Sequence, residues 1–215
     1  MLHNQLLQGV LLLLPLGLSL LPPSALAQKP PFEAVPADVR AAINHTQNAL
    51  QEYRYDAAAQ ILKDISALYP NHPLLLNYQA LVAARRQNPR ESEHFFRSVW
   101  VATPKNTQAQ FNLAETLFLQ RRYTEAAVFY QPAVHLKKLG ETAAFKRYLC
   151  LLLSNQDAEA QAFAKSLRPS IIQPMFYPVQ AARSFHLGNT EAGMYFISPA
   201  KEMYGDRVTG LLQPL

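Results

Sequence analysis

The chain has 215 residues, 49% of them hydrophobic and only 16% charged, with a formal net charge of +5. That length suits one globular domain or one short repeat array, and so apolar a composition excludes a disordered chain. Its single cysteine, Cys150, excludes a fold stapled by internal disulfides.

The first 27 residues hold no Asp, Glu, Lys or Arg and end in Ala25-Leu26-Ala27, the pattern of a secretory signal peptide cleaved before Gln28. The segment departs from the pattern in drawing positive charge only from its α-amino group and His3. An uncleaved anchor is the alternative, because Leu6 to Ala27 reaches the ~20 apolar residues that span a bilayer. Pro15, Pro22, Pro23 and the Ala-Leu-Ala end favour cleavage, so the mature chain is expected to be periplasmic or secreted. No cysteine stands at the cleavage site to carry a lipid. Residues 28–36, with Pro30, Pro31 and Pro36, read as an extended lead-in.

From there, helix and loop signals alternate. One helix pair is expected at about Asp38 to Tyr53 and Asp56 to Tyr69, where Pro70 removes the next backbone donor. A second runs from Leu74 to Gln87 and Arg90 to Ala102, hinged at Asn88-Pro89 and ended by Pro104. The third covers Thr107 to Gln120 and Thr124 to His135, and the fourth Glu141 to Leu153 and Asp157 to Leu167. A fifth pair, within residues 174–205, is weaker in its signals, with a turn at Leu187-Gly188-Asn189; residues 206–215 form a tail. Pro132 and Pro199 fall about two turns into second helices, where proline should kink or end them.

Small residues recur every 34 positions in the second helices, at Ala58, Ser92, Ala126 and Ala160. Four positions beyond each stands Leu62, Phe96, Tyr130 or Ala164, and Pro70 and Pro104 close the first two units. In the fifth unit the same register falls on Met194. YRYDAAAQIL (53–62) aligns with RRYTEAAVFY (121–130), and ALYPNHP (67–73) with VATPKN (101–106). At these residues the chain resembles the tetratricopeptide repeat family over about Ala37 to Gly205. The first helices match less well: no repeat has the family's early tryptophan, and Trp100 lies in a second helix. The resemblance implies an all-α, right-handed superhelical solenoid of four to five antiparallel helix pairs. In such stacks small residues let helices approach closely, so Ala58, Ser92, Ala126 and Ala160 are read as packing positions.

Chemistry is harder to find. There is no H-E-x-x-H, C-x-x-C, G-x-S-x-G or glycine-rich phosphate loop. His45, His94 and His135 lack a second ligand at i+4, Glu91 and Glu93 face different sides of one helix, and Asn44-His45-Thr46 matches a glycosylation sequon at a helical position. Cys150 lies in the apolar run 147–153 and reads as a small buried hydrophobe. The basic doublets, such as Arg85-Arg86 and Arg121-Arg122, read as solvated helix ends; a patch for acidic peptide, anionic lipid or nucleic acid is the rival reading. No catalytic residue, cofactor or metal is expected.

What remains is surface. In the third unit's first helix, Phe111, Glu115 and Phe118 form a stripe beside the packing stripe of Leu113, Ala114 and Leu117. The same register carries Phe145 and Leu149 in the fourth unit and Asn77 and Leu81 in the second. The resemblance implies that first helices line a concave face where peptides dock. Burial of these stripes by neighbouring repeats or by the tail is the alternative. The expected function is an exported, non-catalytic scaffold that binds a protein or peptide segment in that groove, with no nucleic-acid partner. A membrane-tethered assembly subunit held by the uncleaved N-terminal segment is the alternative.

Overall fold

The computed structural model describes residues 35–170 and 174–205. The expected signal peptide, the lead-in up to residue 34 and the tail 206–215 lie outside the described residues. Those described form ten α-helices without a strand: α1 (Ala37–Gln51), α2 (Tyr55–Leu68), α3 (Pro73–Arg85), α4 (Pro89–Ala102), α5 (Thr107–Leu119), α6 (Tyr123–Tyr130), α7 (Gly140–Leu153), α8 (Asp157–Ser166), α9 (Phe176–His186) and α10 (Thr190–Tyr204). The protein is therefore all-α, and both helices of every expected pair are present. The chain falls into two compact units that divide between Pro132 and Ala133.

In the N-terminal unit, α1 packs on α2, α3 on α4 and α5 on α6, and successive pairs join through α2 with α3, α4 with α5, and α1 with α3. In the C-terminal unit α7 packs on α8 and α9 on α10, while α9 also meets α7 and α8. The second helices bury one stripe each: Ala58, Leu62 and Ile65 in α2, and Ser92, Phe96 and Val99 in α4, at the i, i+4, i+7 spacing of a single helix face. The first helices differ. In α3 all of Leu75 to Tyr78 and Ala80 to Ala84 are buried, and α5 is buried from Phe111 through Phe118, so these helices run through the interior with every side covered.

One backbone device joins the helices of every pair. At Tyr53, Gln87, Arg121 and Asn155, each 34 residues from the last, the chain turns with positive φ of 56–60°. Gly188 does the same with φ 78°. The hydrogen bonds are equally regular. Tyr53 N–H donates to Leu50 O and Arg54 N–H to Ala49 O, and the same two bonds recur at Gln87-Asn88, Arg121-Arg122, Asn155-Gln156 and Gly188-Asn189. This pattern is a Schellman motif, which satisfies carbonyls that a helix end otherwise leaves open. The next helix begins at once: Ala58, Ser92, Ala126, Ala160 and Gly193 each donate the first bond of the second helix, to the residue that follows the positive-φ position.

The fifth pair repays comparison with its expected register. Its turn comes 33 rather than 34 residues after the fourth, and the small residue shifts with it. Gly193, not Met194, is buried at the helix contact, while Met194 is 52% exposed. A Cβ on Gly193 would come within 2.4 Å of the Phe185 ring on α9. The register therefore runs from the turn, five residues upstream.

The two proline conflicts resolve differently. Pro132 ends α6 early, at Tyr130, and the chain tightens into a 3-10 turn over Gln131–His135, where the helix had been expected to continue. Pro199 stays inside α10. Its ring removes the donor for the carbonyl of Tyr195, a residue 73% exposed, so water can take the freed acceptor.

Replacing Gln87 with Gly removes the Cβ strain of a left-handed residue, offset in part by the greater freedom of Gly in the unfolded chain. Urea unfolding should show a gain of about 0.5–1 kcal/mol at unchanged m-value. Gly193→Leu should lose about 1–3 kcal/mol by overpacking against Phe185, whereas Met194→Leu should stay within ~0.5 kcal/mol of the parent. Equal sensitivity at the two positions would refute the shifted register.

Candidate functional site

The seven residues of the expected binding stripe are all buried: Asn77 and Leu81 on α3, Phe111, Glu115 and Phe118 on α5, and Phe145 and Leu149 on α7. The side chains of α5 are occupied by the helix they pair with. Phe111 meets Tyr130 edge-on at 5.6 Å between ring centres, and Phe118 meets Tyr123 at 5.4 Å. Tyr130 donates its hydroxyl to the Glu115 carboxylate at 2.6 Å, so one aromatic residue on α6 engages both Phe111 and Glu115. This corrects the expectation that the stripe stands apart from the packing surface. Periodicity separated the two stripes of α5 by angle, but a tyrosine is long enough to reach across that angle from the next helix. The hydroxyl of Ser92, at a small-residue position, lies 3.3 Å from the Thr116 hydroxyl, linking α4 to α5.

Open space in the N-terminal unit lies elsewhere, in a cleft of about 450 Å³ bounded by α2, α3 and α4. Leu62 and Val82 contribute apolar lining, Phe95 lines one wall, and Lys63, Arg86 and Glu91 supply charge. Phe95 packs in turn against the buried cluster of Leu76, Val99 and Ala109. Arg86 is held by an ion pair with Asp56 at 3.0 Å. Within the cleft, Ser66 Oγ is shielded from water and has no hydrogen-bond partner among the described residues. An apolar centre with a polar edge is the usual anatomy of a docking surface. Sequence reading missed this cleft because Lys63, Ser66 and Phe95 occupy helix faces next to the packing stripe and repeat at no fixed period.

Neither protein-family models nor curated proteins provide a match to this chain. Among the described residues no group of three or more His, Cys, Asp or Glu side chains is placed to hold a metal ion, and no helix is long and apolar enough to cross a membrane. Cys150 is buried in α7.

The charges beyond the cleft bind α4 to the start of α6. The largely buried Glu93 carboxylate accepts from Arg97 Nε at 2.7 Å, Arg122 Nη1 at 2.7 Å and Gln120 Nε2 at 2.8 Å. Arg122 also grips Glu125 through two bonds of 2.6 Å, and Arg97 reaches Glu125 at 3.2 Å while lying 5.9 Å from the Phe129 ring centre. Trp100 meets the same phenylalanine edge-on at 5.2 Å. Arg122 is thus part of a network, not the solvated member of a doublet. Burial works to raise the Glu93 carboxyl, but hydrogen bonds from Arg97, Gln120 and Arg122 outweigh it and hold the group below its ordinary value.

A depressed carboxyl stabilises the fold above its unfolded-state pKa, near 4.5, and that contribution is lost as pH falls through the lower folded value. Glu93→Gln should cost on the order of 1–2 kcal/mol at pH 7. The gap in melting temperature between parent and variant should close as the pH drops from about 5 towards 3. A gap that stays constant over that range would place the stabilisation outside the carboxylate charge.

Proposed function

We propose that this chain is a non-catalytic scaffold, built as a right-handed tetratricopeptide-like solenoid, that binds a segment of a partner protein. The observation that carries the reading is the recurrence of one turn: a left-handed residue closing the first helix and a small buried residue five positions later, in all five pairs. Repeating pairs of this kind bury their faces against neighbours and leave elongated surfaces for recognition. The proposed docking place is the α2–α4 cleft, not the stripe from Asn77 to Leu149, because the cleft opens at the exposed residues Lys63, Ala67 and Arg86 above a buried floor, whereas all seven stripe residues are buried. An apolar side chain of the partner would fill the space over Leu62 and Val82, while the polar edge would fix its orientation. Export rests on residues 1–27, and the partner is therefore sought in the exported fraction.

Ala67 lines the cleft from an exposed position on α2. Ala67→Trp should fill the cleft and leave helix content and melting temperature unchanged. In parallel pull-downs from the exported fraction, recovery of the partner should fall at least about tenfold, equivalent to ~1.4 kcal/mol. Equal recovery with both chains would remove the cleft from the binding site. A parent chain that retains no protein at all would overturn the scaffold reading.

A further inference from the structure

The first helices of the N-terminal unit are closed off on a side that the unit's own packing leaves unaccounted for. On α5, Gln108, Asn112 and Glu115 lie within about 60° of one another around the helix, with Phe111 and Phe118 beside them. All five are buried, Asn112 to 1% exposure and Glu115 to 4%. Within the unit, α4 and α6 are the helices packed against α5. The α4 contact runs through Ser92 and Thr116, and α3 comes near at the cluster of Leu76, Val99 and Ala109, both about a quarter-turn away from the polar face. Tyr130 of α6 reaches Phe111 and Glu115, and Tyr123 reaches Phe118, but the hydrogen bond from Gln108 to the Asn112 side chain stays within α5.

The same closure continues onto α3. Asn77 and Leu81, which stand 34 positions before Phe111 and Glu115, are 2% and 5% exposed. They lie on the opposite side of α3 from Gln79 and Ala83, which line the α2–α4 cleft. Glu115, Phe118, Tyr123 and Tyr130 each make a further ring, hydrogen-bond or electrostatic contact beyond those named above. Side chains so little exposed have atoms over them. A cover that runs across two helices about 10 Å apart is a stretch of chain, not a single side chain.

Chemistry narrows which stretch it is. The lead-in carries Lys29 and Glu33, and the tail opens with Asp206 and Arg207, whereas residues 1–27 contain no charged side chain of these types. An uncharged apolar segment can lie over Leu81, Phe111 and Phe118 without the cost of burying a charge. Connectivity allows it, because residues 28–36 span up to about 30 Å when extended and α1, which follows them, packs on α3. We propose that residues 1–27 fill a groove across α3 and α5, over Asn77, Leu81, Phe111, Glu115 and Phe118, so that the uncleaved chain occupies its own binding surface. The groove takes an apolar, uncharged segment. The α2–α4 cleft, on the other side of α3, stays open, and docking there is a separate event.

The experiment uses the full chain from Met1 to Leu215, with retention of Met1 checked by intact mass. The photo-reactive residue p-benzoylphenylalanine replaces Phe118 in one sample and Phe95, which lines the cleft, in another. After illumination, peptide mapping of the monomer should place the Phe118 cross-links within residues 1–27 and the Phe95 cross-links outside them. Leu12→Glu with Leu14→Glu puts two charges into the segment and should lower the Phe118 cross-link yield at least about tenfold while helix content by circular dichroism is unchanged, since burying an unpaired charge is costly. Phe118 cross-links that fall only within residues 35–215 overturn the proposal. So does a yield that the two glutamates leave undiminished, and a cross-linked dimer in place of the monomer would assign the groove to a second copy's segment instead.

Discussion

The structure depends on a reversal of the chain within about three residues, made possible by one residue at positive φ. Without that conformation a helix end would leave its last carbonyls open, and the following helix would start farther away and at another angle. At Tyr53, Gln87 and Arg121 the reversal is imposed on side chains that resist it, whereas Gly188 and, to a lesser degree, Asn155 suit the angle. The strain at each is local. What offsets it is the contact the turn sets up, since five residues later a small side chain lets the second helix lie close to the first. Phe185 against Gly193 shows how close: no Cβ fits between them.

Much of this was legible in the chain itself. The spacing of Ala58, Ser92, Ala126 and Ala160 located the second helices, and Pro70, Pro89 and Pro104 bounded them to within a few residues. The fifth pair was harder because counting from a previous repeat accumulates any change in helix length, whereas the physical constraint counts from the turn. Pro132 and Pro199 are the same residue in similar sequence settings, yet one ends a helix and the other does not. Both freed carbonyls belong to exposed residues, Val128 and Tyr195, so the lost donor does not by itself decide whether a helix ends.

The site was less legible than the fold, for a related reason. A helical wheel assigns each residue of α5 a direction, but not the length of what comes to meet it. Tyr130 reaches Phe111 with its ring and Glu115 with its hydroxyl, turning a stripe that looked spare into part of a helix contact. Conversely, Ser66, Lys63 and Phe95 become neighbours of one opening only when α2, α3 and α4 are assembled. Glu93 illustrates the point for charge, because its three donors come from Arg97 in its own helix and from Gln120 and Arg122 in the next pair.

A turn specified by a dihedral angle leaves the alphabet at its apex nearly free. Tyrosine, glutamine, arginine, asparagine and glycine all serve there in this one chain, with the same two hydrogen bonds beneath them. β-Branched residues and proline are the types that the angle penalises most. Drift in the letters therefore need not be drift in the geometry, and chains that share this architecture can lose resemblance at the very position that builds it.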